Sequence, residues 1–396
     1  MSRGTADVII VGGGLTGASA AWRLAQRGVT DVVILERDTV GSGGTGKSSG
    51  IVRCHYGVSS LARMATTALE TFENAADIFG TGIGFHQTGY IVGVGEVNAA
   101  FLRRSIAAQR TVGVDTSEVD RSEVAKLWPG IHLDDFAAFC WEPRGGYGDA
   151  YATAQAFSTA ARDLGVRLRQ GSPVASIVVT GNKVTGVRLV DGSTVSAPDV
   201  VVAAGPWSVA LVRPLGIDLP VRVHLEQIVL VDPGTEIGPV PVLSDLVSLQ
   251  YVRADGSGDI LFGNSDLSEF HEADPDRYVN RASESFLESA VEKLAHRFPE
   301  LEDAGISSSY AGCFDVTPDW NPVISRSPVD GLVIASGFSG HGFKIAPSVG
   351  TLIADLVIDG VSSDPDIPET DFRLSRFAEG NLLRSPYPYV GAEEMR

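Results

Sequence analysis

The sequence predicts an α/β fold in two parts: a discontinuous unit built on a buried parallel sheet, and an α+β unit with a mainly antiparallel sheet inserted into it. Three observations predict this. Residues 8–36 read as a complete strand–helix–strand unit with a Gly-rich turn, and buried apolar runs recur at 199–205 and 331–336. Between these runs the chain alternates or pairs like antiparallel strands.

The first unit is strand 8–11, the turn Gly12-Gly13-Gly14-Leu15-Thr16-Gly17, a helix to about residue 26 and a second strand ending at Glu36. That order gives a G-x-G-x-x-G its meaning as a Rossmann-like dinucleotide fingerprint. Gly12 permits the tight turn, Gly14 lets a pyrophosphate approach the positive helix end, and Gly17 lets helix and strand pack closely. Leu15 and Thr16 open that helix. Glu36 can accept ribose hydroxyls and would repel an additional phosphate there.

Helical spacing follows at 61–79, through Leu61, Met64, Leu69, Phe72 and Ile78, with a stop at Gly80; 97–110 is similar. From 130 to 148 aromatics and glycines alternate without a clear period, and an Ala-rich helix at 152–164 is stopped by Gly165. Strands at 166–169, 174–180, 184–189 and 193–196 follow, the last three joined as a meander by Gly181-Asn182 and Asp191-Gly192. The run 199–205 ends in glycine, as expected of a strand covered on both faces. Segments 222–231, 246–253 and 259–263 read as antiparallel strands, and 275–298 as an amphipathic helix. Residues 331–336 form another buried strand. A helix at 347–358 has Pro347 as its start signal, and 362–370, rich in Pro and Asp, is a turn region.

The loop before Pro347, Gly337-Phe338-Ser339-Gly340-His341-Gly342-Phe343-Lys344, has two readings. It leaves backbone room for a flat ligand, and a reduced flavin would be stabilised by a helix N-terminus and a lysine. It is equally a Gly-rich connection with a solvated Lys344.

The 396 residues suffice for two or three domains with ample core. A net charge of −18 disfavours nucleic-acid and anionic-membrane partners. Three scattered cysteines, Cys54, Cys140 and Cys313, indicate neither a disulfide framework nor a metal site. With no apolar run long enough to span a bilayer, the expectation is a cytoplasmic protein without membrane partners.

The loop 337–344 resembles the flavin-proximal loop of sarcosine and glycine oxidases, within the FAD-dependent D-amino-acid oxidase-like superfamily. Segments 46–53, 145–150, 202–207, 317–319 and 372–377 agree in order, so the resemblance covers almost the whole chain. It is similar above all to the β-subunit-type flavoproteins of sarcosine and dimethylglycine oxidoreductases. The resemblance implies a glutathione-reductase-like FAD domain of residues 1–84, 145–217 and 312–396, and a substrate domain of 85–144 and 218–311. It implies FAD contacts at Gly12, Gly14, Leu15, Thr16, Gly17, Glu36, Arg37, Thr45, Ser48, Ser49, Gly50, Val174, Ala204, Gly205, Trp207, Gly337, Gly340, His341, Gly342, Phe343 and Lys344.

In that group an arginine after the Ser-rich loop and the lysine of G-H-G-F-K clamp the substrate carboxylate over the flavin; Arg53 and Lys344 are the matching positions. Two cations facing a carboxylate would fix the Cα, and arginine can do so with two parallel hydrogen bonds. Tyr56 and His55 are candidates for shaping the site, and His341 for a flavin contact through its loop. Two departures matter. With Thr317 as anchor, Gly312 stands where monomeric sarcosine oxidases carry their flavin-linking cysteine, so FAD is expected to be non-covalent and Cys313 a buried free thiol. The oxygen-activating lysine after G-x-G is missing from Gly256-Ser257-Gly258-Asp259-Ile260, which leaves oxygen or another electron acceptor open.

The expected activity is FAD-dependent oxidation of the C–N bond of a small, secondary or N-methylated amino acid, giving an imine that hydrolyses. A primary-amine, D-amino-acid or glycine oxidase is the alternative enzyme. A flavin-carrying relay subunit of a larger complex or oligomer is the alternative of another class.

Overall fold

The computed structural model describes residues 4–266, 268–301 and 303–391; residues 1–3 and 392–396, at the two ends of the expected FAD-domain segments, and 267 and 302, in the expected substrate domain, lie outside them. The apolar runs at 8–11, 199–205 and 331–336 converge on one six-stranded sheet. Its order is Val323–Arg326, Leu332–Ser336, Asp199–Val202, Val8–Val11, Val32–Leu35, Arg167–Arg169, parallel throughout except for the first pair. Strands with apolar side chains on both faces must be covered on both. The Leu15–Gln26 and Gly342–Ile358 helices pack on one side, and the meander Val174–Thr180, Lys183–Leu189, Thr194–Ser196 contributes to the core on the other. The two helices meet closely, the Ser19 hydroxyl donating to the Ala346 carbonyl at 2.9 Å. Both begin just beyond the carboxyl ends of parallel strands, where open α/β sheets bind ligands.

The alternating segments build the second sheet, of eight strands: Gly305–Val316, Arg222–Asp232, Ile260–Asn264, Gln250–Ala254, Val242–Asp245, Tyr90–Val94, Ala138–Glu142, Ser117–Val119. All its pairs are antiparallel except Val242–Asp245 with Tyr90–Val94. A two-stranded ribbon, Ile51–Val52 with Gly146–Tyr147, runs between the Ser-rich loop and the region that lacked a period.

Four elements differ from the sequence expectation, each for a local reason. The helix expected at 61–79 is Ser59–Glu73 followed by Ala75–Phe79, because the Asn74 side chain donates to the Glu70 carbonyl (2.8 Å) and competes with the helix ladder. The strand expected at 246–253 is only Gln250–Ala254, since Asp245 Oδ1 accepts from the amides of Val247 and Ser248 and forms a turn. The helix expected at 275–298 is Glu284–Arg297, started by Ser283, whose hydroxyl accepts from the Phe286 amide. Pro347 does not start its helix, which begins at Gly342 and carries the proline in its interior, unable to give the Phe343 carbonyl its usual amide partner. The positive helix end therefore falls five residues earlier, inside the glycine-rich loop. Among the described residues no helix is long and apolar enough to cross a membrane.

Candidate active site

A cavity of about 550 Å³ opens along the carboxyl edge of the parallel sheet. At its centre the first Gly-rich turn does what its spacing requires. Gly12 has φ +107°, and a Cβ there would stand 2.4 Å from the Ala203 carbonyl oxygen; a Cβ on Gly17 would stand 2.0 Å from that of Gly12. Larger residues would separate strand from helix. Gly14 caps the Leu15–Gln26 helix without a side chain, and the Leu15 amide donates to Thr45 Oγ1 at 3.1 Å. The wall here thus consists of backbone and a positive helix end, which suits a pyrophosphate.

One end of the cavity is set by Glu36, whose Oε2 accepts from the Gly13 amide (2.7 Å) and Oε1 from the Asp38 amide (2.8 Å). Arg37, which also lines the cavity, stacks on the Trp207 ring at 4.4 Å and pairs with Asp38 at 3.0 Å and Asp276 at 2.8 Å. Val174, Ala204, Gly205, Ser48, Ser49, Gly340, Gly342 and Phe343 line the same cavity. A carboxylate, a pyrophosphate-sized backbone turn and a helix N-terminus thus line one cleft, a combination that fits FAD. Of the sequence candidates, Gly17, Gly50 and Gly337 shape this wall through backbone packing: a Cβ on Gly50 would meet the Gly148 carbonyl and one on Gly337 the Thr317 methyl.

A smaller cavity of about 50 Å³ adjoins the large one and shares Ser49, Glu226, Tyr251, Phe314 and Gly340 with it. Arg53, His341 and Lys344 line it, so residues nearly 300 positions apart in the chain come together. Arg53 follows the Ile51–Val52 ribbon strand and is buried; its guanidinium donates to the His55 carbonyl and lies 4.3 Å over the Tyr56 ring. Burial opposes its charge, yet Tyr56, Tyr90 and Glu142 around it raise its pKa on balance. Lys344 Nζ donates to the Gly340 carbonyl at 3.2 Å, in the first turn of the Gly342–Ile358 helix. Its surroundings are not those of a solvated surface lysine: it is 7% exposed.

Tyr56 stands one layer back. Its hydroxyl meets His341 Nδ1 at 3.3 Å, and it touches the cavity through Arg53 and His341. His55 lies deeper still, bonded through Nε2 to the Tyr389 hydroxyl (2.9 Å), with Cys140 and Glu142 beside it. Burial lifts the Glu142 carboxyl to about 7, against the Cys54 amide it accepts from and the Arg53 charge. His55, Cys140 and Glu142 bring ligand-type atoms within 4.8 Å of one another, as do His132, Asp135 and His296; sequence spacing revealed neither group.

Cys313 corrects one expectation. It is a free thiol, but half-buried rather than sealed in the core, and it borders the large cavity; burial, with Asp274 and Asp276 nearby, pushes the thiol up to about 11. The long strand Gly305–Val316 places it there, with Leu225 as its cross-strand neighbour.

Sequence reading missed Glu226, Tyr251, Tyr90 and Phe314 on the wall of the small cavity. The one available signal was His224 and Glu226, polar residues at a period of two in a strand otherwise rich in Val, Leu and Ile. An inward carboxylate in such a strand points to a site.

The family model described as FAD dependent oxidoreductase (DAO) matches residues 7–356. The sarcosine oxidase subunit beta of Arthrobacter sp is 26% identical over 95% of this chain and 92% of its own length. The mitochondrial dimethylglycine dehydrogenase of Rattus norvegicus is 27% identical over 90% of this chain and 43% of its own length. Among solved structures, that of L-proline dehydrogenase from P. horikoshii superposes with a TM-score of 0.88 at 26% identity, covering 96% of this chain and 99% of its own. With a match that extends from the first strand through nearly the whole Gly342–Ile358 helix, this chain belongs to the DAO family and is an FAD-dependent oxidoreductase.

Proposed function

We propose that the protein oxidises the C–N bond of a small amino acid, secondary or N-methylated, whose carboxylate is held between Arg53 and Lys344. One observation carries this reading: two buried cations from distant parts of the chain line a small cavity that shares a wall with the FAD-sized cleft. When bound, FAD supplies the two-electron acceptor for a hydride from the carbon next to nitrogen, and the imine left behind hydrolyses in water. Gly12, Gly14, Glu36 and the Gly340–Phe343 segment would hold it, without a covalent link.

The chain's own residues bind and orient. Arg53 offers a planar fork for two parallel hydrogen bonds to a carboxylate, and its stacking on Tyr56 fixes the fork's direction. Lys344 supplies the second charge from the first turn of the Gly342–Ile358 helix. Tyr90, Tyr251 and Phe314 line the cavity, whose small volume of about 50 Å³ suits a small ligand. The resemblance to proteins named for sarcosine, dimethylglycine and L-proline supports a secondary or tertiary amine, and that to glycine oxidase of Geobacillus kaustophilus keeps a primary amine as the alternative. The test is an anaerobic screen following flavin bleaching with sarcosine, N,N-dimethylglycine, L-proline, glycine and D-alanine. Bleaching by the first three and not the last two is expected; the reverse order would favour the primary-amine alternative.

The relative named as a beta subunit supports a second proposal, that this chain works beside other subunits. Co-purification from the native cell extract at a mass well above 41.7 kDa would agree with it.

A further inference from the structure

We propose that Glu226 receives the amine nitrogen of the substrate. Its carboxylate takes a proton from the bound ammonium: an N–H bond breaks, an O–H bond forms on Glu226, the nitrogen lone pair is released and no electrons leave the substrate. The proposal rests on the amino-acid reading above and extends it to the other half of the molecule.

The geometry is the argument. Glu226 sits on the Arg222–Asp232 strand opposite Gly312 and lines both cavities, at the junction where a substrate would face the flavin. Among the described residues lining the small cavity it is the sole carboxylic acid, set against Arg53 and Lys344. A zwitterion held by its carboxylate at those cations has one complementary place for its nitrogen. The Tyr251 hydroxyl donates to Glu226 Oε1 at 3.2 Å and fixes the group, while Oε2 stands 3.9 Å from His224 Nε2, beyond hydrogen-bond reach. His224 does not compete for the proton, because burial lowers it to about 4 and its Nδ1 already accepts from the His271 amide.

The electrostatic setting agrees. Burial lifts Glu226 to about 8, opposed by the hydrogen bond from Tyr251. The titratable groups facing it are Tyr251 from Gln250–Ala254, Tyr310 from Gly305–Val316, His224 on its own strand, and Arg53, Lys344, His341 and Tyr90 across the small cavity. A carboxyl in that range is poised to exchange a proton near neutral pH, whereas an ordinary glutamate is too weak a base.

The test uses the FAD-loaded full chain with Glu226→Gln and Glu226→Asp. Acetate and methylammonium, the two halves of the smallest amino acid, are titrated as ligands through the flavin spectrum, and anaerobic reduction by sarcosine, N,N-dimethylglycine and L-proline is followed from pH 6 to 10. Glu226→Gln should keep acetate binding and lose methylammonium affinity about 10- to 100-fold, the range for removing a charge-assisted hydrogen bond. The limb of the reduction rate that rises through about pH 8 should vanish, leaving the amine's own limb at higher pH, and aspartate should restore part of it. An unchanged acetate-to-methylammonium ratio with an unchanged pH profile overturns the assignment while leaving the amino-acid reading intact. Wild-type flavin that none of the three amino acids reduces overturns both. Tyr251→Phe covers the case of a misfolded Gln variant: it removes the bond holding Oε1 and should move the limb upward, and an unmoved limb overturns the assignment.

Discussion

The Arg53 guanidinium lies 4.3 Å over the ring of Tyr56, and both residues are buried. Tyr56 in turn meets His341 edge-on, with ring centroids 5.2 Å apart. One tyrosine therefore orients two groups on the wall of the small cavity from behind. Tyr56→Leu, which removes the π face, should raise the apparent Kd for the amino-acid substrate about 2- to 30-fold, from ~0.5–2 kcal/mol for a cation–π contact. Tyr56→Phe keeps the face and should cost less. Substrate titrations of the two variants check this; equal losses would show that the hydroxyl, not the ring, carries the effect.

Purified protein should be yellow and should release its FAD into the supernatant on acid denaturation. Colour left with the precipitated chain would contradict a non-covalent link and implicate Cys313, whose thiol borders the cleft.

Reduced flavin should reoxidise slowly in air and faster with a quinone or dye, because the turn before the Ile260–Asn264 strand carries no lysine. Peroxide formed at the rate of dye reduction would contradict this and turn attention to Lys47, a cation on the wall of the large cavity.

Stability should depend on the Glu142 carboxyl. Burial lifts it from an ordinary 4.5 to about 7, so the folded chain binds this proton more tightly than the unfolded chain. The stabilisation is complete below the unfolded value and is lost as pH rises through about 7, by about 3 kcal/mol in all. Glu142→Gln keeps an acceptor for the Cys54 amide and should flatten this part of the Tm–pH curve, leaving the slope contributed by Glu226. A variant with the wild-type slope would show that Glu142 does not titrate in this range.

The βαβ unit at the start of the chain was legible because its signals are local: Gly12, Gly14, Gly17 and Glu36 lie within 25 residues and each has a steric or electrostatic duty. The apolar runs at 199–205 and 331–336 declared buried strands for the same reason. Lys344 became a candidate through its glycine-rich loop, but Arg53 and its pairing with Lys344 came through resemblance, not spacing, since only the folded chain brings them to one cavity. What the sequence hid is equally physical. Ala138–Glu142 shows no alternation because nearly all its side chains are buried. Pro347 read as a helix start although the helix already begins in the flexible-looking Gly340-His341-Gly342 segment. Glu226 looked like an ordinary charged residue in a strand until its face of the sheet was known.

Loss of the carboxylate clamp is the most direct test of the account, by anaerobic stopped-flow reduction of Arg53→Ala and Lys344→Ala with an amino acid and with the same amine lacking its carboxylate. Both variants should retain FAD. Arg53→Ala should weaken amino-acid affinity by ~1.5–3 kcal/mol with an almost unchanged flavin spectrum, and Lys344→Ala should also lower the reduction rate and the flavin midpoint potential. Both should prefer the amino acid over the bare amine less than wild type does. Undiminished affinity and rate for the amino acid in Arg53→Ala would contradict the clamp and, with it, the assignment of an amino-acid substrate.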